Sequence, residues 1–115
     1  MHPRFKLWLS ADDTEGIFGD GKWRLLKAID AEGSLQAAAQ SLGISYRKAW
    51  GDLQKAEKHL GLTLIEKKRG GRSGGSAHLT KAGKQLMTGY SRLRSSLETS
   101  ARKGYDKHIS PVLES

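Results

Sequence analysis

The sequence predicts a mainly helical α+β domain: a winged helix-turn-helix with a three-helix core, a glycine-rich β-hairpin wing and a long C-terminal helix. Three observations predict it. Two short segments with helical apolar spacing meet at Gly43, within 34–60. Two strand-like runs flank the glycine-rich loop at 69–76. The segment 81–103 then keeps helical spacing without a proline.

Taken in order, residues 4–9 (RFKLWL) alternate, with Phe5, Leu7 and Leu9 on one face and Arg4, Lys6 and Trp8 on the other, as in a half-buried strand. ADDTEGIFGDG follows and reads as a loop, since Gly and Asp favour turns. Asp20 is the expected N-cap of a helix over 21–32, whose apolar set is Trp23, Leu25, Leu26, Ala28 and Ile29. Gly33 ends it. Ser34 caps a short helix with Leu35, Ala38, Ala39 and Leu42 inward, and Gly43 suits the left-handed position past its end. Ser45 caps a third helix over 46–60, with Ala49, Leu53, Ala56 and Leu60 as its buried stripe. Residues 62–68 and 77–80 read as the strands of the wing. Thr80 caps the last helix. The expected organisation is a winged domain over 1–80, a dimerisation helix over 81–104 and a loose tail over 105–115.

Composition narrows the function. There is no cysteine among the 115 residues, so no disulfide framework and no thiolate site exists. No signal peptide or membrane span is evident, and a cytoplasmic protein with no membrane partner is expected. The net charge is +8, which favours a polyanionic partner. The charge is unevenly placed. Over 44–72, Arg47, Lys48, Lys55, Lys58, Lys67, Lys68, Arg69 and Arg72 outnumber Asp52, Glu57 and Glu66, whereas acids predominate over 10–32.

Double-stranded DNA is therefore the expected partner, with the helix that begins at Ser45 in the major groove. Tyr46, Arg47, Lys48, Trp50, Gly51 and Gln54 fall on its outward face near the N-terminus. Arg47 and Lys48 can donate to guanine or to phosphate, and Gln54 can pair with adenine. Trp50 suits core and groove alike. Ser34 and the amides behind it offer a phosphate site, alongside its simple role as a cap. Lys68, Arg69 and Arg72 bring charge to the wing, although a run such as Lys67–Lys68 is as often a solvated face. In the last helix Leu86, Tyr90, Leu93 and Leu97 step by four, three and four, as a paired-helix seam does. A homodimer is expected through this seam. The alternative is that Leu86 and Tyr90 pack on their own domain and leave Leu93 and Leu97 exposed.

Several of these residues also carry a resemblance. GISYRKAW (43–50) resembles the recognition-helix motif of the N-terminal domain of ModE-type molybdate-responsive regulators. The likeness continues through LLKAI (25–29), GS (33–34), the wing (66–77) and LTKAG (79–83), and covers roughly 4–100. The general pattern is similar to the LysR-type winged helix. The resemblance implies a dimer with DNA contacts from Ser45, Tyr46, Arg47, Lys48 and Trp50 and from the wing with Arg69 and Arg72. The C-terminal oxyanion-binding domains of such regulators have no room in 115 residues, so neither molybdate binding nor another effector is expected.

Other chemistries fit less well. GIFGDGKW (16–23) matches a phosphate-binding loop up to its lysine, but Trp23 stands where Ser or Thr should hold Mg²⁺. His2, His59, His78 and His108 are dispersed, without metal-ligand spacing. No cofactor and no enzymatic activity are expected. The competing binding readings are an RNA-binding protein using RGGRSGG and a dimeric adaptor that recruits a protein.

Overall fold

The computed structural model describes residues 1–68 and 75–115. The chain runs β1 (Trp8–Ala11), β2 (Thr14–Gly19), α1 (Asp20–Glu32), α2 (Leu35–Leu42), α3 (Tyr46–Leu60), β3 (Ile65–Lys68), β4 (Ser76–Leu79), α4 (Lys81–His108) and α5 (Ser110–Glu114). This is the expected winged-helix class, with two antiparallel ribbons, β1–β2 and β3–β4.

The N-terminal ribbon differs from the sequence reading. Its strand lies at Trp8–Ala11 rather than 4–9, and the segment read as a loop closes back on it. Leu9 pairs with Phe18 and Ala11 with Thr14, with a bulge between them. Gly16 absorbs the bulge at φ 67 and its amide donates to Ser10 Oγ at 2.9 Å. Ile17 and Phe18, both buried, anchor the returning strand in the core. The glycines and aspartates mark the bends of a hairpin here, not the absence of one.

The helix ends follow the caps. Ser34, Ser45 and Thr80 accept from Ala37 N, Lys48 N and Gly83 N at 3.0 Å each. Asp20 is not a cap. The N-cap is Gly19, and Asp20 is the first residue of α1. Its carboxylate turns instead to α4, where Arg94 Nε donates to it at 3.1 Å and the Tyr90 hydroxyl donates as well. The Tyr90 hydroxyl also reaches the Leu7 carbonyl at 2.6 Å.

Tyr90 therefore belongs to the core and not to a free seam. It is 2% exposed, edge-on to Phe18 at 5.2 Å and tilted against Trp23 at 5.4 Å. Leu86 packs partly buried on the same core. Leu93 and Leu97 remain 41% and 38% exposed. Two of the four residues assigned to a dimer contact are thus used within the domain, because α4 must cover α1 before it can offer a face elsewhere. Trp23 Nε1 fixes that packing by donating to Ser91 Oγ at 2.8 Å.

The helix also passes the boundary placed at 104. It continues to His108, and the segment read as a loose tail ends in α5. Residues 101–108 hold no proline, the single Gly104 is accommodated within the helix, and Lys107 and His108 suit the C-terminal dipole. Pro111 falls in the first turn of α5, where its missing N–H costs nothing. At about 1.5 Å per residue α4 is roughly 42 Å long, which accounts for most of the 63 Å long axis.

The wing is joined to the core by its backbone. Ala77 N donates to the Gly33 carbonyl at 2.9 Å, and at the base of the ribbon Thr80 N donates to the Leu64 carbonyl, also at 2.9 Å. The first turn of α4 approaches Leu64 so closely that a Cβ on Gly83 would overlap its carbonyl oxygen. Gly83→Ala is expected to lower the unfolding free energy by about 1–3 kcal/mol. Gly89→Ala, where a Cβ meets open space, is expected to raise it by about 1 kcal/mol. Urea denaturation compares the two, and a stabilised Gly83→Ala would refute the close contact.

Partial burial alone would raise the Asp20 pKa, but hydrogen bonds from Arg94 and Tyr90 and the Arg94 charge hold it below the usual 3.8. A folded-state pKa below the unfolded one adds stability that is present above 3.8 and lost as the pH falls through the folded value. Asp20→Asn is expected to cost about 1–3 kcal/mol at neutral pH and to flatten the acid limb of the stability curve. Thermal melts between neutral pH and pH ~3 check this; an unchanged acid limb would mean that Asp20 is not the group lost.

Candidate nucleic-acid interface

Small residues let α2 and α3 approach one another. Ala38 and Ala39 are buried on α2, and Ala49, Leu53 and Ala56 on α3. Between them Gly43 takes φ 69, and Ile44 N bonds back to the Ala39 carbonyl at 3.0 Å. The far end of α3 is tied to the wing. The Glu57 carboxylate accepts from Leu64 N at 2.7 Å and from Ile65 N at 3.4 Å. The sequence reading gave Glu57 no such role, because its partners are backbone amides that no side-chain pattern reveals.

With its buried stripe fixed, α3 turns Arg47, Gly51, Gln54 and Lys58 to the opposite face, at about 100° per residue. Arg47, Gln54, Lys55 and Lys58 are exposed. A Cβ built on Gly51 meets nothing within 4 Å, so the middle of this face is a shallow, open step. Ser45, Tyr46 and Lys48 are exposed as well, and the first turn of the helix is open to solvent.

The side chains are not equally free. Lys48 Nζ lies 3.0 Å from Asp52 Oδ2, one turn along the helix. Trp50 is half-buried against the core and so leans toward packing. Tyr46, 43% exposed, stands on the wing side of the helix. Lys67 reaches across from β3. It donates to the Tyr46 hydroxyl, and its Nζ sits 4.9 Å from the Tyr46 ring and 4.2 Å from the Trp50 ring. The β3–β4 register explains that reach. Ile65 and Lys67 share the face that also holds the buried Leu79 and Ala77, whereas Lys68 shares the outer face with Glu66. On that outer face Glu66 pairs with His78 at 3.0 Å. Ser34 is half-buried at the start of α2, with its hydroxyl engaged as a cap. Arg69 and Arg72 lie outside the described residues.

A sequence model of bacterial regulatory helix-turn-helix proteins of the lysR family matches residues 21–84, from α1 through the first turn of α4. The chain belongs to the LysR family. The chain is 37% identical over 79 residues to the molybdenum-pterin-binding protein MopA of Rhodobacter capsulatus, an alignment covering 69% of this chain and 30% of that protein. It is 34% identical over 88 residues to the molybdenum transport protein ModE of Azotobacter vinelandii, covering 76% and 33%. The chain spans about a third of the length of these curated relatives. Among LysR-family structures, the DNA complex of the CbnR DNA-binding domain superposes with a TM-score of 0.57 at 26% identity, over 79% of this chain and 95% of that one. The BenM DNA-binding domain gives 0.58 at 23% identity, over 78% and 96%, a likeness of fold.

The matched region ends at 84, so it includes the helix-turn-helix and the wing but little of α4. Among the described residues no helix is long and apolar enough to cross a membrane, and no cluster of His, Cys, Asp and Glu could hold a metal ion. Two groups on this face escaped the sequence reading. Lys55 and Lys58 enter the sequence pattern only as charge, although the helical repeat locates them on the outward face, where both are exposed. The Lys67 contact was legible only in part: alternation from Ile65 puts it on the inner face of the ribbon, but the aromatic pair it meets comes from another element.

Proposed function

We propose that this chain is a DNA-binding transcriptional regulator that grips duplex DNA as a homodimer, with α3 in the major groove and the wing on the backbone or minor groove. The observation that carries the reading is the open, basic first turn of α3, with Arg47 exposed above the step at Gly51. Arg47 and Gln54 read base edges. Ser34 and the first amides of α2 receive a phosphate. Ser45 and Trp50 shape the approach. Lys48 is shared with Asp52 and adds charge at the groove wall. Lys68, on the outer face of the ribbon, and Arg69 and Arg72, which follow it in sequence, meet phosphates. The function requires no chemical step, cofactor or membrane, and its place is the cytoplasm with the chromosome. We assign molybdate binding to no residue of this chain.

The dimer is proposed through Leu93 and Leu97, the exposed part of the expected seam. Two copies related by a two-fold axis would favour a palindromic site with half-sites about one helical turn apart. Sedimentation is expected to show a dimer at tens of micromolar, and Leu97→Lys a monomer. A wild-type monomer at that concentration would end the dimer reading.

Selection from a random duplex library is expected to return a two-fold symmetric site. Tighter binding to single-stranded RNA than to any selected duplex would overturn the regulator reading. On the selected duplex, Arg47→Ala is expected to cost about 1–3 kcal/mol and to relax the sequence preference. Gly51→Ala separates folding from binding: it should stabilise the free helix by about 1 kcal/mol while weakening the complex. Unchanged affinity for both variants would mean that another face meets the DNA.

A further inference from the structure

On the wing side of α3, a lysine from one element and two aromatic rings from another form a closed contact. Lys67 comes from the inner face of the β3–β4 ribbon, and Tyr46 and Trp50 are one turn apart on α3. The ammonium sits 4.2 Å from the Trp50 ring, 4.9 Å from the Tyr46 ring, and donates to the Tyr46 oxygen. An ammonium group has three donors and no acceptor capacity. The Tyr46 oxygen must therefore accept from Lys67. A phenol has one proton of its own, and that proton is left to point away from Lys67. The contact thus occupies an acceptor site of the hydroxyl and leaves its proton free to donate outward, on a residue still 43% exposed.

From this geometry, and resting on the DNA-binding reading above, we infer that Lys67 is a positioning residue that orients the Tyr46 hydroxyl to donate to one phosphodiester oxygen between α3 and the wing. The placement favours a phosphate over a base edge. Arg47, Gly51 and Gln54 occupy the outward line of α3, whereas Tyr46 and Trp50 stand on its wing-side flank, where the backbone would pass between helix and ribbon. Lys67 itself is turned toward the rings. Its charge strengthens the Tyr46 donor and ties the wing to the recognition helix. Lys68, one residue on, faces outward and is the lysine of this pair that meets phosphate directly.

The test is a double-mutant cycle on the selected duplex, combined with neutral methylphosphonate replacement of single phosphates. Tyr46→Phe is expected to lose roughly tenfold in affinity, the worth of one hydrogen bond to a charged group. It should also become insensitive to the methylphosphonate at one position. Lys67→Met should reproduce both effects and add little in the Tyr46→Phe background. Lys67→Arg, which keeps a donor and a cation that stacks on aromatic rings, should restore binding. Lys67 and Tyr46 are exposed, and circular dichroism of the variants controls for folding.

The salt dependence discriminates further. A lysine that neutralises a phosphate directly would lower the salt slope by about 0.9 when removed. Lys68→Met should do so and Lys67→Met should not. Equal losses for Lys67→Met in the wild-type and Tyr46→Phe backgrounds would overturn the inference while leaving the regulator reading intact. A base-edge substitution, rather than a methylphosphonate, that abolishes the Tyr46 effect would also overturn it. Failure of the wild-type chain to bind any duplex would remove both.

Discussion

One hydroxyl proton holds the two ends of this domain together. Tyr90 on α4 lies between the Leu7 carbonyl and the Asp20 carboxylate, and a phenol has a single proton to share between them. The arrangement holds because Arg94 supplies the second donor to Asp20. Burial, and then the carboxylate beside it, push the Tyr90 hydroxyl pKa upward, so it stays protonated. The N-terminal segment, the start of α1 and the middle of α4 thereby meet at one polar point inside an aromatic cluster. The core beneath α3 is closed on this side. With the stripe of Ala49, Leu53 and Ala56 seated on that core, the opposite face of α3 has a fixed direction.

This point also explains what sequence alone could and could not reveal. Caps are local, and Ser34, Ser45 and Thr80 were each legible because the hydroxyl serves an amide three residues on. Periodicity was equally dependable for α3, whose bounds match the expected 46–60. Asp20 misled because an acid before an apolar run resembles a cap, whereas its partners lie 70 and 74 residues away. Tyr90 misled for a related reason. Its spacing with Leu86, Leu93 and Leu97 says that four apolar side chains share a face, but not which of them the domain itself covers. The β1–β2 hairpin was hidden because its returning strand contains a bulge, and a bulge interrupts the alternation by which a strand is recognised.

On the proposed interface the division between legible and hidden follows the same rule. The helical repeat places Arg47, Gly51 and Gln54 outward without reference to any other element. Lys67 needs two facts at once, its inward register in the ribbon and the position of two aromatic rings on α3. Glu57 needs the backbone of β3. Long-range contacts of this kind decide how α3 and the wing are set relative to one another, which matters for any partner that must touch both.

They also change how the basic charge should be counted. The segment 44–72 carries eight Lys and Arg residues, and reading each as a phosphate contact would predict a steep loss of affinity with salt. Lys48 is already paired with Asp52, an exposed contact worth little in stability but enough to offset part of its field. Lys67 faces two aromatic rings. Glu66, paired with His78, adds negative charge to the outer face of the ribbon beside Lys68. Among the described residues, Arg47, Lys55 and Lys58 share the outward face of α3, and their charges add there. A field concentrated on one helix orients the approach of a polyanion more sharply than the same charge distributed evenly. Arg47 and Gln54 are exposed on either side of the open step at Gly51 on that same face.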